Sequence, residues 1–223
     1  MSIRHAVKIT NPRASRLTVD PAVEPVSVDD LRTHLRIAGT SSDDELLMVI
    51  IEARMIIEQR LNAALITQTW QLTLDGWPSG ASPWWDGVRD GHVNMIAGGA
   101  ADIEIPRWPL QSITSCTVYD EDSNSTAVVV ASVFDVDTQS LPGRLSLQSG
   151  ATWPVALRAN NAIEIVYVAG YGDAAADVPA DLKRAVKQLA AALYTNRGDC
   201  SEADMMKSSG AMTIVDQYRN RRI

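Results

Sequence analysis

Cysteine and histidine are scarce in this chain, and their scarcity excludes several classes of protein. The two cysteines, Cys116 and Cys200, stand far apart and have no metal-type spacing. We therefore expect a reduced chain with isolated thiols and no disulfide framework. The three histidines are scattered and belong to no metal-binding or catalytic motif. Neither a metal ion nor another cofactor is expected.

Long apolar runs and an excess of basic charge are also missing. No run reaches the roughly 18 apolar residues that are needed to cross a bilayer, and the N-terminus shows no signal peptide. We expect a protein that is made in the cytoplasm and has no membrane partner. The net charge of −7 argues against bulk attraction to nucleic acid, although it leaves room for a local basic patch.

The 223 residues, of which 46% are hydrophobic, suffice for one large or two small folded domains. Residues 1–24 are polar and aperiodic, which predicts an extended N-terminal arm. Ser27 then offers a helix cap, Asp29 and Asp30 favour the positive end of a helix, and Gly39 can end it. These signals predict a first helix.

A second, longer helix is predicted after Ser42. Ser42 and Glu45 match a capping box, in which each side chain binds the backbone N–H of the other residue. Apolar residues then recur at three- and four-residue steps: Leu46, Ile50, Ala53, Ile57, Leu61 and Ala64, widened by Leu47, Ile51 and Leu65. A stripe this broad predicts that the helix contacts more than one neighbour.

The pattern changes after Ala64 to short runs that are typical of strands. Thr67–Leu74 alternates with a period of two, as a half-buried strand does. Further strand-like runs follow: Asp102–Pro106, Ser112–Tyr119, Ala127–Asp135, Gly143–Leu147 and Ala162–Val168. Asp120–Asn124 reads as a hairpin loop. Many short strands with close turns predict an antiparallel sheet or a small sandwich.

A long loop, 76–100, separates the first two of these strands and contains Trp77, Trp84 and Trp85. Loops of this length in a compact domain are usually functional or disordered. One interpretation is that the indole rings cover the open face of the sheet. The other is that some of them contact a neighbouring chain, because tryptophan is favoured in interfaces.

A third helix is predicted to begin at Pro179 and to end near Arg197 and Gly198. Residues 199–223 then look weakly structured and predict an extended C-terminal tail. From Lys207 onward the segment carries four Lys or Arg residues against one acid. Its local charge is therefore positive, opposite in sign to the net charge of the whole chain.

The Gly170-Tyr171-Gly172 stretch raises the possibility of a phosphate-binding loop, because it follows an apolar run and precedes a helix. A Walker loop requires Lys-Ser/Thr directly after its glycines, whereas Asp173 and Asp177 follow here and would repel phosphate. The dinucleotide fingerprint requires a third glycine, which is missing. We interpret the two glycines as the means by which the chain leaves the sheet sharply.

No catalytic set is recognisable, so we expect a protein that is not an enzyme. The strand residues Glu104 and Glu164 could form an acid pair of the kind that glycosidases use, but nothing in the sequence fixes their separation. An enzyme therefore stays as a rival hypothesis. The stronger rival is a monomeric binding module that holds a carbohydrate or protein ligand in a groove lined by Trp77, Trp84 and Trp85.

Taken in order, a series of short fragments resembles the head–tail connector, or head completion adaptor, proteins of tailed bacteriophages and gene transfer agents. The resemblance covers the chain from about Pro25 to Arg222 and is carried by these fragments: Val26–Arg36, Asp43–Leu47, Ala53–Arg54, Ile57–Glu58, Leu65–Trp70, Ile105–Leu110, Tyr167–Gly172, Val178–Ala185 and Tyr194–Arg197. Each fragment is weakly specific, and their order and spacing supply the specificity.

The resemblance implies an α+β fold, in which a small helical bundle carries an antiparallel β-region inserted between its second and third helices. We accordingly expect an N-terminal arm (1–24), a bundle (25–66 and 173–198), an inserted β-domain (67–172) and a C-terminal tail (199–223).

The resemblance further implies a structural role in a virion or phage-like particle, at the junction of head and tail. Twelve copies would form a ring beneath the portal protein, extend the channel through which DNA passes without specific binding, and present a platform to the next tail-side connector or stopper. The C-terminal segment commonly docks onto the portal in such proteins. The corresponding anchors here are Ile214, Val215, Tyr218, Arg219, Arg221, Arg222 and Ile223. Tails of this family often carry proline before the Tyr-Arg pair, where this chain has Gln217.

Overall fold

The computed structural model describes residues 13–77, 102–153, 157–196 and 201–219, and they form an α+β fold. Its helices are α1 (Val28–Leu35), α2 (Asp43–Leu61), α3 (Val130–Val133), α4 (Ala180–Thr195), α5 (Glu202–Ser208) and α6 (Ala211–Tyr218), with a 3₁₀ turn at Ala175–Asp177. Its strands are β1 (Arg13–Val19), β2 (Gln68–Leu74), β3 (Ile103–Glu104), β4 (Leu110–Tyr119), β5 (Ser125–Val128), β6 (Phe134–Asp137), β7 (Arg144–Leu147) and β8 (Ile163–Ala169).

The chain divides into two compact units, which we call the helical unit and the β unit. The described part of the helical unit comprises residues 19–69, 106–111, 168–196 and 201–219. The described part of the β unit comprises residues 13–18, 70–77, 102–105, 112–153 and 157–167. No helix in these described stretches is long and apolar enough to span a membrane.

The first two helices begin differently from each other. At α1 the Ser27 hydroxyl accepts a hydrogen bond from the Asp30 backbone N–H at 3.1 Å, as expected. At α2 the expected capping box is wrong, because Ser42 has ψ near 11° and its side chain makes no capping hydrogen bond. Arg32 of α1 instead contacts the Asp43 carboxylate at 2.6 Å and thereby joins the two helices.

The core of the helical unit lies between α2 and α4, with α1, α5 and α6 around them. Both long helices contribute aliphatic side chains at helical spacing, and the fully buried ones include Leu46, Ile50, Ile57, Leu182, Val186 and Leu189. The third predicted helix is confirmed, since Pro179 precedes the first residue of α4.

The expected extended C-terminal tail is wrong for residues 202–218, which form α5 and α6. Ser201 caps α5 by accepting from the Asp204 N–H at 3.2 Å, and Gly210 turns the chain with φ of +77°. Met206 and Val215 are then buried in the helical core. The physical reason is that apolar residues recur at helical spacing between the polar ends of this segment, and burying them stabilises both short helices.

The β unit contains most of a five-stranded sheet with the strand order β1-β2-β8-β4-β5, and a three-stranded sheet with the order β3-β7-β6. β4 and β5 pair antiparallel with Tyr119 opposite Ser125, which confirms the predicted hairpin at Asp120–Asn124. The antiparallel pairs β3–β7 and β6–β7 build the smaller sheet. Residues 13–19, expected in the arm, form the edge strand β1.

The single strand predicted at Ala127–Asp135 is wrong. The run is divided among the end of β5, the helical turn α3 and the start of β6, which belongs to the other sheet. A continuous run of valines favours extended backbone, but its periodicity cannot show that the chain changes sheets in the middle.

The Gly170–Gly172 stretch ends β8 and leads towards α4, as interpreted from the sequence. Gly170 has φ of +140°, and a Cβ atom there would lie 2.6 Å from the backbone of Ile66. The Gly170 N–H donates to the Pro109 carbonyl at 2.9 Å, and the Gly172 carbonyl accepts from the Thr67 N–H at 3.0 Å. Gly170 therefore permits two backbone segments to pass each other closely.

Candidate interaction surfaces

A buried ionic network fixes the C-terminal half of α2. Arg54 bridges Glu24 at 2.8 Å and Glu58 at 2.9 Å, and both Arg54 and Glu58 are 5% exposed. The second oxygen of Glu58 accepts from the Leu65 N–H and from the Gln68 side chain, both at 2.8 Å. Burial raises the pKa of Glu58, and the hydrogen bonds and Arg54 oppose that shift. The saturated hydrogen bonding identifies this network as structural.

The end of α2 is also held by a distant segment. Arg107 donates to the Glu58 carbonyl at 2.9 Å, and the Trp108 indole N–H donates to the Leu61 carbonyl at 3.2 Å. Trp108 thereby gives a partner to a carbonyl group of the last helical turn, and Arg107 adds a donor to the Glu58 carbonyl, which also accepts from the Ala63 N–H at 3.1 Å. The helical unit therefore presents α2 as a rigid element.

One face of α2 is apolar and exposed, and we call it the α2 face. Its members are Asp44, Met48, Ile51, Glu52 and Met55. Met48 is 70% exposed and Met55 is 48% exposed, which is unusual for two large apolar side chains on one helix face. Asp44, Met48, Ile51 and Met55 follow at three- and four-residue steps, so they lie on one side of the helix, with Glu52 beside them. Of the residues that widened the stripe in the sequence, Leu47 is 41% exposed and Ile51 is half-buried beside these methionines, whereas Leu65 is buried.

A groove of about 530 Å³ lies between α1, the segment before it, and α4. Its apolar lining includes Pro25, Val26 and Ala180, and its polar lining includes His34 and Asp30. The Asp30 carboxylate accepts from the Ser27 hydroxyl at 2.9 Å, so Asp30 is engaged in capping α1.

Three cations from α4, namely Lys183, Arg184 and Lys187, also line this groove, and we therefore call it the cationic groove. They stand at three- and four-residue spacing on the side of α4 that faces away from buried Leu182 and Val186. Among the described residues no carboxylate lies within salt-bridge distance of these three cations. An acidic chain therefore carries a compact, unpaired basic patch.

The predicted portal-docking residues divide into two groups. Ile214 packs against the helical core, Val215 is fully buried, and the Tyr218 hydroxyl donates to the Asp181 carboxylate at 2.7 Å. Burial, supported by that hydrogen bond, raises the pKa of Tyr218. Arg219 follows α6 and is exposed, 3.8 Å from Asp216. The predicted docking residues Arg221, Arg222 and Ile223 lie outside the described residues.

The tryptophans of the long loop are described only at Trp77. Its ring stacks on Trp153 with centroids 4.6 Å apart and lies 5.7 Å from Phe134. Trp77 is therefore half-buried and packs against Trp153 and Phe134 within the β unit. Trp84 and Trp85 lie outside the described residues. Sequence reasoning missed Trp153 and Phe134, because no local pattern links them to Trp77.

The other candidate groups have local explanations. Glu164 accepts from the Tyr119 hydroxyl at 3.1 Å, while Asp137 accepts from Ser140 and Arg144. Hydrogen bonds from these groups lower the pKa of Asp137. In the stretches that the structure describes, no cluster of His, Cys, Asp and Glu has the arrangement of a metal site.

The sequence analysis identified neither the α2 face nor the cationic groove, although the residues of α2 and α4 that form them recur at helical spacing.

Known proteins resemble this chain in fold. No protein-family model matches the sequence, and no curated protein matches it either. The fold is similar to that of a chain from the neck of an empty gene transfer agent (GTA) particle computed with C6 symmetry, with a TM-score of 0.73, 23% identity, and coverage of 94% of this chain and 97% of that chain.

Two further solved structures give the same result. A chain from the virion of a native GTA particle matches with a TM-score of 0.70 and 23% identity over 94% of this chain and 96% of that chain. A chain from the neck of a native GTA particle computed with C12 symmetry matches with a TM-score of 0.68 and 25% identity over 93% and 97%. The similarity covers almost the whole of each chain, and it establishes a shared fold.

Proposed function

We propose that this protein is a non-enzymatic structural component of the neck of a phage-like particle, where it joins a DNA-filled head to a tail. The observation that carries the proposal is the fold similarity to neck chains of GTA particles, at a TM-score of 0.73 over 94% of this chain. The ordered fragments from Val26 to Arg197 that resemble adaptor proteins support the same function.

The proposed assembly is a ring of twelve identical copies beneath the portal. The reconstructions of the similar GTA necks used sixfold and twelvefold symmetry, which is compatible with such a ring. The ring would extend the channel for DNA and present its far side to a tail-side connector or stopper. The net charge of −7 suits a channel wall that repels DNA phosphates and lets the duplex slide.

Portal docking is assigned to the C-terminal end of the chain. Val215 is buried, so its side chain reaches a partner only if α6 leaves the bundle, whereas Tyr218 is half-buried and bonded to Asp181. Arg219 is exposed, and together with Arg221, Arg222 and Ile223 it offers bidentate guanidinium donors and an apolar end for a portal groove. We therefore assign the first contact with the portal to residues 219–223.

The test is the solution mass of the purified protein, measured by sedimentation velocity alone and with the portal encoded in the same genome neighbourhood. We expect a defined complex with about twelve copies on each portal ring. A truncation after Tyr218 removes residues 219–223 but keeps α6, and we expect it to keep its melting temperature and lose portal binding.

A full-length protein that stays monomeric with portal present contradicts the adaptor function and favours the binding module. A truncated protein that still binds portal contradicts only the assigned docking segment.

A further inference from the structure

We propose that the α2 face of one copy occupies the cationic groove of the next copy, so that a ring closes through one repeated head-to-tail contact. The occupant of the groove is thus a second copy of this chain. The inference rests on the proposed ring and names the two surfaces that build it.

A ring of identical subunits needs two different surfaces on every copy, because a head-to-tail contact never pairs a surface with itself. The helical unit offers two such surfaces. α2 buries Leu46, Ile50 and Ile57 in its own bundle and leaves Met48 and Met55 outside. The cationic groove is lined from α1, α4 and the segment before α1, with no residue of α2. Neither surface is therefore covered by the other within one copy.

The charges of the two surfaces are complementary. The α2 face carries the exposed carboxylates of Asp44 and Glu52, and neither has a salt-bridge partner among the described residues. The groove carries Lys183, Arg184 and Lys187, which are equally unpaired. Opposite charges facing each other across an interface fix its register and exclude wrong partners.

Both surfaces also contain apolar atoms. In the groove Ala180 is exposed beside the cations, and the largely buried Pro25 and Val26 also line it. The α2 face places Met48 and Met55 beside its acids, and methionine is enriched in interfaces because its flexible thioether fills irregular space. An apolar centre with charges at its edge is the usual composition of a specific interface.

The arrangement permits a test by charge reversal in two complementary variants. The first, Asp44→Lys with Glu52→Lys, makes both surfaces of a copy positive. The second, Lys183→Glu with Lys187→Glu, makes both surfaces negative. Each variant alone repels its own copies, whereas in an equal mixture every contact in an alternating ring pairs opposite charges. The matched control for the first variant, Glu121→Lys with Asp122→Lys, makes the same change in net charge in the exposed β4–β5 turn.

Assembly is measured by sedimentation velocity over a concentration series, with and without portal, and folding is checked by thermal melting. For each reversed variant alone we expect half-assembly to need at least about tenfold more protein than the wild type needs. We expect the mixture to recover to within about threefold of wild type, and the control to assemble normally. Rescue by mixing also shows that the variants are folded.

Other outcomes overturn the inference in distinguishable ways. If wild type assembles and both reversed variants assemble equally well, the proposed contact between the α2 face and the cationic groove is wrong. The proposed ring is not contradicted by that result. A lowered melting temperature in those samples would then identify a segment of the same chain as the occupant. If one variant fails and mixing does not rescue it, that surface contacts the portal or another partner. If wild type forms no oligomer with portal, the proposed function fails as well.

Discussion

The helical unit and the β unit differ in where they place their ion pairs. In the helical unit Arg54 and Glu58 form a buried pair, and Glu24, which is partly buried, adds a second carboxylate to Arg54. In the β unit the ion pair between Arg144 and Asp137 is exposed and serves a tight turn. The difference implies that breaking an ion pair costs more stability in the helical unit than in the β unit.

Removing Arg54 should have the largest effect on stability. Arg54→Ala leaves Glu24 and Glu58 without their cation in a buried site, and we expect a loss of about 3–5 kcal/mol in the free energy of unfolding. Arg144→Ala in the β unit is the matched control, and it should cost less than about 1 kcal/mol because that pair is exposed. Urea unfolding measures both, and equal losses would contradict the contrast between the units.

Substitution of Gly170 should be the next most damaging change. Gly170→Ala places Cβ 2.6 Å from the Ile66 backbone at φ of +140°, and we expect a loss of about 3 kcal/mol. Gly150→Ala in the β unit also has positive φ, of +84°, but its Cβ would meet nothing within 4 Å. It should cost about 1 kcal/mol. If the two variants unfold at the same urea concentration, close backbone approach is not the reason for Gly170.

The smallest of the three effects should come from α6. Val215→Ala removes buried methyl groups from the helical core, and we expect a loss of about 2 kcal/mol. Thr213→Ala, which changes an exposed residue of the same helix, should leave the thermal midpoint almost unchanged. A Val215→Ala protein as stable as wild type would show that α6 is not part of the folded core in solution.

The fold class was predictable because its signals are local. Ser27, the stripe along α2 and Pro179 each carry a helix signal in a few adjacent residues, and the alternation in β2 identifies a strand. The wrong predictions arise where contacts with residues distant in the sequence determine the local structure. Ser42 lost its capping role in a junction where Arg32 binds Asp43, and the valines before Phe134 are divided by a change of sheet.

The candidate surfaces could be predicted only in part. The sequence shows that α2 is apolar on more than one side, but only packing reveals that Met48 and Met55 stay exposed while Ile50 and Ile57 do not. The cations of α4 have helical spacing, yet the sequence cannot show that α1 lies beside them and forms a groove. For α5 and α6, each helix is too short to be stable alone, so its stability depends on the core that buries it.

The hydrogen bond between Thr67 and Gly172 has a consequence for where the chain tolerates changes in length. It joins the residue that enters the β-rich stretch of the chain to the residue that leaves it. That stretch therefore begins and ends at adjacent points of the helical unit, as a closed loop does. The entropy cost of closing a loop grows only with the logarithm of its length, by about 0.6 kcal/mol for each doubling. Insertions and deletions in that stretch, outside the segment 106–111 that contacts the end of α2, should thus be tolerated by the helical core, so that the middle of the chain can change in length while the helices are kept.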